Sequence, residues 1–358
     1  MSNKVITIQS HKGEYSASFM SGGMDQLNNA PVENAVYIID QNIAQLYKDR
    51  LGNILSSQRV IKIEATEENK SLDKIPGYVD ELVSLNIRRG QPLIAIRGGI
   101  IQDITCFLAT TVMRGLPWIF YPTTLLAQSD SCIGSKSSIN SGEVKNILGT
   151  FTPPEKVVID VDFLQTLEQR EIFSGIGEML KVHAINSPES FDLISAAYED
   201  ILKDPVIMEE FIHNSLSMKK KLIEIDEFDQ GVRNVMNYGH SFGHAIESAT
   251  NYGIPHGIAV TIGMDIANFV SAELKVSDVS HFERMHNVLE KNYRTYQHVD
   301  ISVESLLNAL SKDKKNSATQ LRLIFPDQNG CIGIGLYDNN SKLKNSLDKY
   351  FKLYGGVN

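Results

Sequence analysis

Pro92–Thr124, PLIAIRGGIIQDITCFLATTVMRGLPWIFYPTT, carries the clearest structural pattern in the chain. Its opening, PLIAI, is a short apolar run of strand length that ends in Arg97-Gly98-Gly99. DITCFLATTVMRG then follows helical period, and PWIFYPTT returns to a strand. Glycines directly after a strand, opening a helix, let the backbone approach a pyrophosphate while the helix N-terminus favours its charge. RGGIIQD is not a GxGxxG fingerprint, so these residues alone also fit a plain strand–helix turn. On either side, AVYIID (35–40), VIKIEA (60–65) and KVVIDVDF (156–163) read as further strands. NIAQLYKDRLGNIL (42–55) and KSLDKIPGYVDELVSLNI (70–87) read as helices between them. Alternation of this kind predicts βαβ units, a parallel sheet and helices on both faces.

After about Leu164 the pattern changes. From Glu168 to Leu310 nearly every segment has helical period, including a long helix from near Pro205 through KKKLIEIDEF; only LRLIFP (321–326) looks extended. The expected organisation is an α/β nucleotide-binding-type domain, 1–164, followed by a mainly helical domain, 165–358. No repeat or low-complexity linker separates them, so a ligand cleft is expected where they meet.

The 358 residues suit two domains at roughly 150 each. Hydrophobic residues make up 42% and charged residues 22%, which excludes a disordered chain, a collagen-like fibre and a disulfide-dense scaffold. Lys plus Arg number 34 against 43 Asp plus Glu, a net −9. That balance argues against non-specific binding to nucleic acid or a membrane surface, yet leaves room for a basic pocket and a small anionic substrate. No window nears the roughly 18 apolar residues of a membrane span, and the N-terminus lacks a signal-peptide pattern. Three dispersed cysteines (Cys106, Cys132, Cys331) read as free thiols, so the expected setting is cytoplasmic.

In NYGHSFGHAIE (237–247), His240 and His244 stand four apart and share one helix face; His256 follows in IPHGIAV, at a loop–helix junction. That set suits a divalent metal, and a carboxylate would complete a three-ligand site with one open position. Glu178, in GIGEMLK, is the candidate. Spacing alone equally allows ordinary core or surface histidines. Arg114, Lys136, Lys145 with Asn146, Lys181, Lys219, Arg233, Lys314 and Lys315 form a set of cations and polar neighbours, several beside glycines. Singly each reads as a solvated charge; together they could hold phosphate and carboxylate.

The order of motifs resembles 3-dehydroquinate synthase and its sugar phosphate cyclase relatives. The resemblance runs collinearly through RGGIIQD, MRGLPWIFYPTTLLAQSDSCIGSK, KNILGTFTPP, DVDFLQTLEQRE, GEMLK, MNYGHSFGHAIE and PHG. It implies a Rossmann-like NAD-binding domain followed by a mostly helical metal- and substrate-binding domain. It assigns zinc, or cobalt, to Glu178, His240 and His256. It places NAD on Asp40, Glu67, Lys70, Gly98, Gly99, Asp103, Thr123 and Thr124, with Lys145, Phe163, Thr166 and Glu171 bordering it. The substrate phosphate falls to Lys136, Asn146, His244 and Lys314 or Lys315, with Arg114 crossing from a second subunit of a homodimer. Lys219 and Arg233 fall to a carboxylate; Asp130, Lys181 and Asn237 to hydroxyls.

The implied activity is that of a phosphate-eliminating lyase in the shikimate route to aromatic amino acids. A ring alcohol is transiently oxidised by NAD, phosphate leaves by β-elimination, the hydride returns, and an aldol addition closes the ring. Arg233, Asn237 and the second histidine of GHxxGH favour dehydroquinate formation, because cyclases with other products tend to lose one of them. A specialised cyclase and a zinc polyol dehydrogenase remain the alternatives. The chain departs from the family pattern at Arg97, Gln102, Ser135, Asp229 and Ile258. The first two are expected to press on the pyrophosphate loop.

Overall fold

The strands of the first half are β1 (Val5–Ser10), β2 (Gly13–Phe19), β3 (Val36–Asp40), β4 (Val60–Ile63), β5 (Leu93–Arg97), β6 (Trp118–Pro122), β7 (Lys136–Ser141), β8 (Val144–Phe151) and β9 (Lys156–Ile159). Seven of them form one sheet in the order β1-β2-β9-β6-β5-β3-β4. All its pairs are parallel except the β1–β2 edge hairpin. Leu93, Ile94, Ala95 and Ile96 are buried in succession, as expected for a central parallel strand covered on both faces. This computed structural model describes residues 4–142, 144–299, 301–311 and 319–355.

Two compact units emerge, Met1–Leu167 with Lys219–Phe228, and Glu168–Met218 with Asp229–Asn358. The sequence-based boundary lies at 164, and no local pattern marks Lys219–Phe228 as part of the first unit. Those residues close the helix Pro205–Ile225 and the turn after it. What ties them to the first unit is long-range: Glu224 accepts from the Gln9 amide at 2.9 Å and Glu227 from the Ser10 hydroxyl at 2.6 Å.

Several local expectations need correction. NIAQLYKDRLGNIL is not one helix but two short ones, Gln41–Leu46 and Gly52–Leu55, broken where the charged KDR and Gly52 interrupt the apolar stripe. The helix predicted over 70–87 starts only at Ile75, beside Pro76, a residue suited to a first turn. β1 and β2 alternate buried and exposed positions, a strand signature. The β7–β8 hairpin is polar (KSSINS) and lacks that signature.

The second unit is helical, built from Gln169–Asn186, Pro188–Ala196, the first part of Pro205–Ile225, His240–Ala249, His256–Glu273, Val279–Tyr293 and Ser341–Tyr354, among others. LRLIFP lies in β10 (Gln320–Pro326), but it is not the unit's lone extended run: it pairs with β11 (Ile332–Asp338). IGIGLYD hides its strand character because Gly333 and Gly335 lower β-propensity and most of its residues are exposed. The helix His256–Glu273 is buried almost throughout and forms the unit's axis. It crosses the Gln169–Asn186 helix backbone to backbone. A Cβ on Gly177 would lie 2.2 Å from the Gly257 carbonyl, and the Gly257 amide donates to Ser174 Oγ at 3.0 Å.

Candidate active site

In the first unit the assigned dinucleotide residues gather at the C-terminal ends of adjacent parallel strands, where open α/β sheets take ligands. Asp40 ends β3, Gly98 follows β5, and Thr123 and Thr124 follow β6. Gly98 has no room for a side chain: a Cβ there would stand 2.9 Å from both Thr124 Cγ2 and Oγ1. The Thr123 hydroxyl is buried with no hydrogen-bond partner among the described residues. A tight glycine turn beside an unsatisfied hydroxyl fits a ligand that brings its own polar groups.

Asp103 is the hub of a second group. Its carboxylate accepts from Lys70 Nζ at 3.2 Å, the Ser138 amide at 3.1 Å and the Ser138 hydroxyl at 2.9 Å. Burial raises the Asp103 pKa, an effect opposed by Lys70 and by the Ser138 bonds. Lys70 also donates to Asn146 Oδ1 at 2.9 Å and pairs with Glu67 at 3.4 Å. Asn140, which sequence reasoning passed over, binds Glu67 Oε2 through its side-chain amide (2.9 Å) and accepts from the Asn146 amide (2.9 Å). Glu67, Lys70, Asp103 and Asn146 are thus one connected network.

Other assigned residues are placed differently. Phe163 is a core residue packed edge-on to Tyr47 at 5.2 Å, and Thr166 Oγ1 bonds the Tyr47 hydroxyl at 2.7 Å. Lys145 on β8, Lys136 at the start of β7 and Arg114 after the Gly99–Thr111 helix are exposed. Glu171 is half-buried and belongs to the second unit, and Lys314 and Lys315 lie outside the described residues.

Two of the departures from the family pattern have partners nearby. Arg97 turns to Asp40, Nε to Oδ2 at 3.2 Å. Gln102 is locked to Ser131 by two bonds, its amide donating to the Ser131 carbonyl (2.7 Å) and its carbonyl accepting from the hydroxyl (2.8 Å). Each of these two side chains is thus held by a partner of its own. Ser135 has φ +59°, a conformation glycine adopts at less cost. Ile258 is fully buried.

Asp130 and Lys219 meet in the first unit, Lys219 Nζ lying 2.8 Å from Asp130 Oδ1 and donating to its backbone carbonyl at 2.6 Å. Nearby Cys132 is a free thiol pushed up to about 12 by burial, and burial likewise holds Cys106 at about 11, so neither is a thiolate near neutral pH.

The second unit carries the histidines. Gly239, in the left-handed region at φ +75°, precedes the His240–Ala249 helix, whose first residue is His240 and whose next turn brings His244. His256 opens the following long helix after Pro255. One ligand atom from each of the three histidines lies within 4.8 Å of the others. Ring centroids are 5.3 Å apart for His240–His244, 5.2 Å for His240–His256 and 5.7 Å for His244–His256. Glu178, 1% exposed, adds a carboxylate: Oε1 lies 4.0 Å from His240 Nε2 and 3.7 Å from His256 Nε2, while Oε2 is ion-paired with buried Lys181.

The outer nitrogens are tethered. His240 Nδ1 lies 3.2 Å from the Tyr238 carbonyl, and His256 Nδ1 lies 3.3 Å from both oxygens of Glu247. Each tether turns Nε2 toward Glu178, the outer-shell arrangement that fixes the tautomer of a metal-binding imidazole. Burial, then Lys181 and the two neighbouring histidines, hold the His240 pKa well below its ordinary value, so the ring is neutral and able to ligate. Burial also opposes protonation of His256, but Glu247 and Glu178 outweigh it and raise its pKa. Imidazoles with a carboxylate are a donor set for a borderline divalent ion such as zinc or cobalt.

Beside this cluster lies a pocket lined by Asn237, His240 and His244, with Asn234, Ser241 and Arg322 completing its polar wall. Arg233, 5% exposed, lies on the same turn, Val232–Asn237. Arg322 was not anticipated: a lone arginine in a strand-like LRLIFP gives no periodic or motif signal.

An α/β unit with a glycine turn at its strand ends, and a helical unit with a carboxylate–histidine cluster, define a fold shared with solved sugar phosphate cyclases. The chain superposes on 2-deoxy-scyllo-inosose synthase, solved with carbaglucose-6-phosphate, NAD+ and Co2+, with a TM-score of 0.83 at 21% identity, covering 97% of this chain and 100% of that one. The 2-epi-5-epi-valiolone synthase of Streptomyces hygroscopicus subsp. jinggangensis 5008, with NAD+ and Zn2+ bound, gives 0.84 at 23% identity over 95% and 97%. Sequence narrows this further. Residues 60–174 match the 3-dehydroquinate synthase N-terminal family model and 175–316 the 3-dehydroquinate synthase C-terminal one. The 3-dehydroquinate synthase of Dehalococcoides mccartyi (strain ATCC BAA-2266 / KCTC 15142 / 195) is 34% identical over 302 residues, 82% of this chain and 84% of the relative. The chain belongs to the 3-dehydroquinate synthase family.

Proposed function

We propose that this protein converts 3-deoxy-D-arabino-heptulosonate 7-phosphate to 3-dehydroquinate and phosphate, as a carbon–oxygen lyase dependent on NAD and a divalent metal. The observation that carries the reading is the convergence of Glu178 with His240 and His256, each ring tethered through Nδ1, in a chain that matches the family across both halves.

Glu178, His240 and His256 would hold the ion. Asp40, Glu67, Lys70, Gly98, Gly99, Asp103, Thr123 and Thr124 would hold NAD, with Lys145, Phe163, Thr166 and Glu171 at its border. When bound, the dinucleotide supplies a reversible hydride acceptor and the ion a Lewis acid. The chain's own residues orient the substrate. Lys136, Asn146 and His244 would bind its phosphate, joined by Lys314 or Lys315 and by Arg114 of a second subunit. Lys219 and Arg233 would bind its carboxylate, and Asp130, Lys181 and Asn237 its hydroxyls. Fixing these groups against a reactive ring can lower a barrier by about 7 kcal/mol or more through orientation alone. Support for the cofactors and for a sugar-phosphate substrate comes from the two cyclases above, solved with NAD+ and a divalent ion, one of them with a sugar-phosphate analogue. The Lys181–Glu178 pair keeps an ammonium beside the candidate ligand set, where it could also meet a substrate hydroxyl.

The test is to incubate the purified protein with this substrate, catalytic NAD and zinc, and to follow phosphate and dehydroquinate together. Equal release of both, without net reduced cofactor, is expected. Phosphate release only from sedoheptulose 7-phosphate or glucose 6-phosphate would assign a specialised cyclase. Accumulation of reduced cofactor would assign a polyol dehydrogenase. Among the described residues no helix is long and apolar enough to cross a membrane. A cytoplasmic homodimer completes the proposal.

A further inference from the structure

Arg322 lies on β10, two residues before Ile324, and both line the pocket that holds Asn237, His240 and His244. No Asp or Glu stands among the described residues lining this pocket, which presents imidazoles, amides, a hydroxyl and a guanidinium. Such a wall is rich in donors and cationic, suited to an oxyanion. The guanidinium is also positioned. Its Nη1 donates to Asn234 Oδ1 at 3.4 Å, and Asn234 is 6% exposed. The Asn234 side-chain amide donates to the Asp229 carbonyl at 3.0 Å, and its own backbone carbonyl accepts from Asn237 Nδ2 at 3.0 Å. One buried asparagine therefore brackets both Arg322 and Asn237. A planar fork with five donors is shaped for a phosphoryl group in a way that a lysine is not.

We propose that Arg322 is a further anion-binding residue of this site, taking an oxygen of the substrate's phosphoryl group beside His244. The identity of that anion as the substrate's own phosphate rests on the function proposed above; the binding of a phosphoryl group to Arg322 does not.

The test uses inorganic phosphate as the probe, titrated calorimetrically into zinc- and NAD-loaded protein. Arg322→Gln is expected to raise the phosphate Kd by about 10- to 100-fold, the loss of one charge-assisted contact, with zinc stoichiometry and melting temperature unchanged. Arg322→Lys is expected to lose less, because charge survives while the fork does not; it also serves if the glutamine variant does not fold. In turnover, KM for the sugar phosphate should rise with phosphate Kd, more than kcat falls. An unchanged phosphate Kd in a folded variant, or a wild-type protein that binds no phosphate, overturns the inference. So does weaker binding of a phosphate-free carboxylate alone. If wild-type protein binds phosphate through Arg322 but releases none from the heptulosonate substrate, the inference stands and the proposed activity falls.

Discussion

Glu247 illustrates how much one side chain outside a ligand set can control. Its carboxylate holds His256 Nδ1 at 3.3 Å through both oxygens and thereby aims Nε2 at Glu178. Glu247→Gln keeps the shape and weakens the acceptor, so zinc affinity should fall about 10- to 100-fold with the fold intact; competition with a chelator of known affinity measures it. His256→Ala should lose zinc outright, and stoichiometric zinc retained in that variant would refute the ligand assignment. The histidine triplet and Glu178 were legible in the sequence, as spacing for the first two histidines and as family order for the rest. Glu247 and Arg322 were not. A glutamate late in GHAIE reads as an ordinary helix-face charge, and only folding shows which ring it meets.

Among the elements, the crossing of the Gln169–Asn186 and His256–Glu273 helices sets the distance between Glu178 and His256. Both contact residues are glycines adjacent in sequence to that pair, Gly177 before Glu178 and Gly257 after His256. Gly177→Ala would put a methyl 2.2 Å from a backbone carbonyl, which cannot rotate away. Destabilisation of about 3 kcal/mol is expected, with zinc lost in parallel, and denaturant melts with metal analysis would show both.

A second device ties the long helix to its neighbours. Fully buried Asp265 accepts from His286 Nδ1 at 2.9 Å, the Tyr293 hydroxyl at 2.7 Å and the Tyr350 hydroxyl at 2.8 Å, with Glu290 one turn from His286. Burial disfavours protonated His286, but Asp265 outweighs it and raises the pKa above the ordinary 6.5. A group with a raised folded pKa contributes fully below its unfolded value and loses that contribution as pH climbs through the folded one. Stability from this pair should therefore be full below pH 6.5 and decline above it. His286→Gln should flatten the slope of Tm against pH there, and a slope unchanged in that variant would exclude the pair as its source.

Over the whole molecule, Glu171 apart, the resemblance assigns dinucleotide and metal chemistry to residues of different compact units. Gly98→Ala, which would press on Thr124, should weaken NAD binding while leaving zinc stoichiometry at the wild-type value. Fluorescence titration and metal analysis of the same sample test both halves of that statement. The net charge of −9 coexists with buried cations, Lys70, Lys181, Lys219 and Arg233 each being at most 7% exposed. For Lys70, Lys181 and Lys219 the structure gives carboxylate partners, Asp103, Glu178 and Asp130. An average charge says nothing about such pairs, because it does not record where charges are buried.

The alternation of strand and helix, the parallel sheet, the change to helical period and the family were legible before folding is considered, because they rest on periodicity and on the linear order of motifs. Folding in three dimensions is what joins β11 to β10, places Lys219–Phe228 with the first unit, turns Arg97 to Asp40 and brings each histidine its tether. Each of these depends on residues far apart in the chain or on the direction of one side chain, and local pattern carries no information about either.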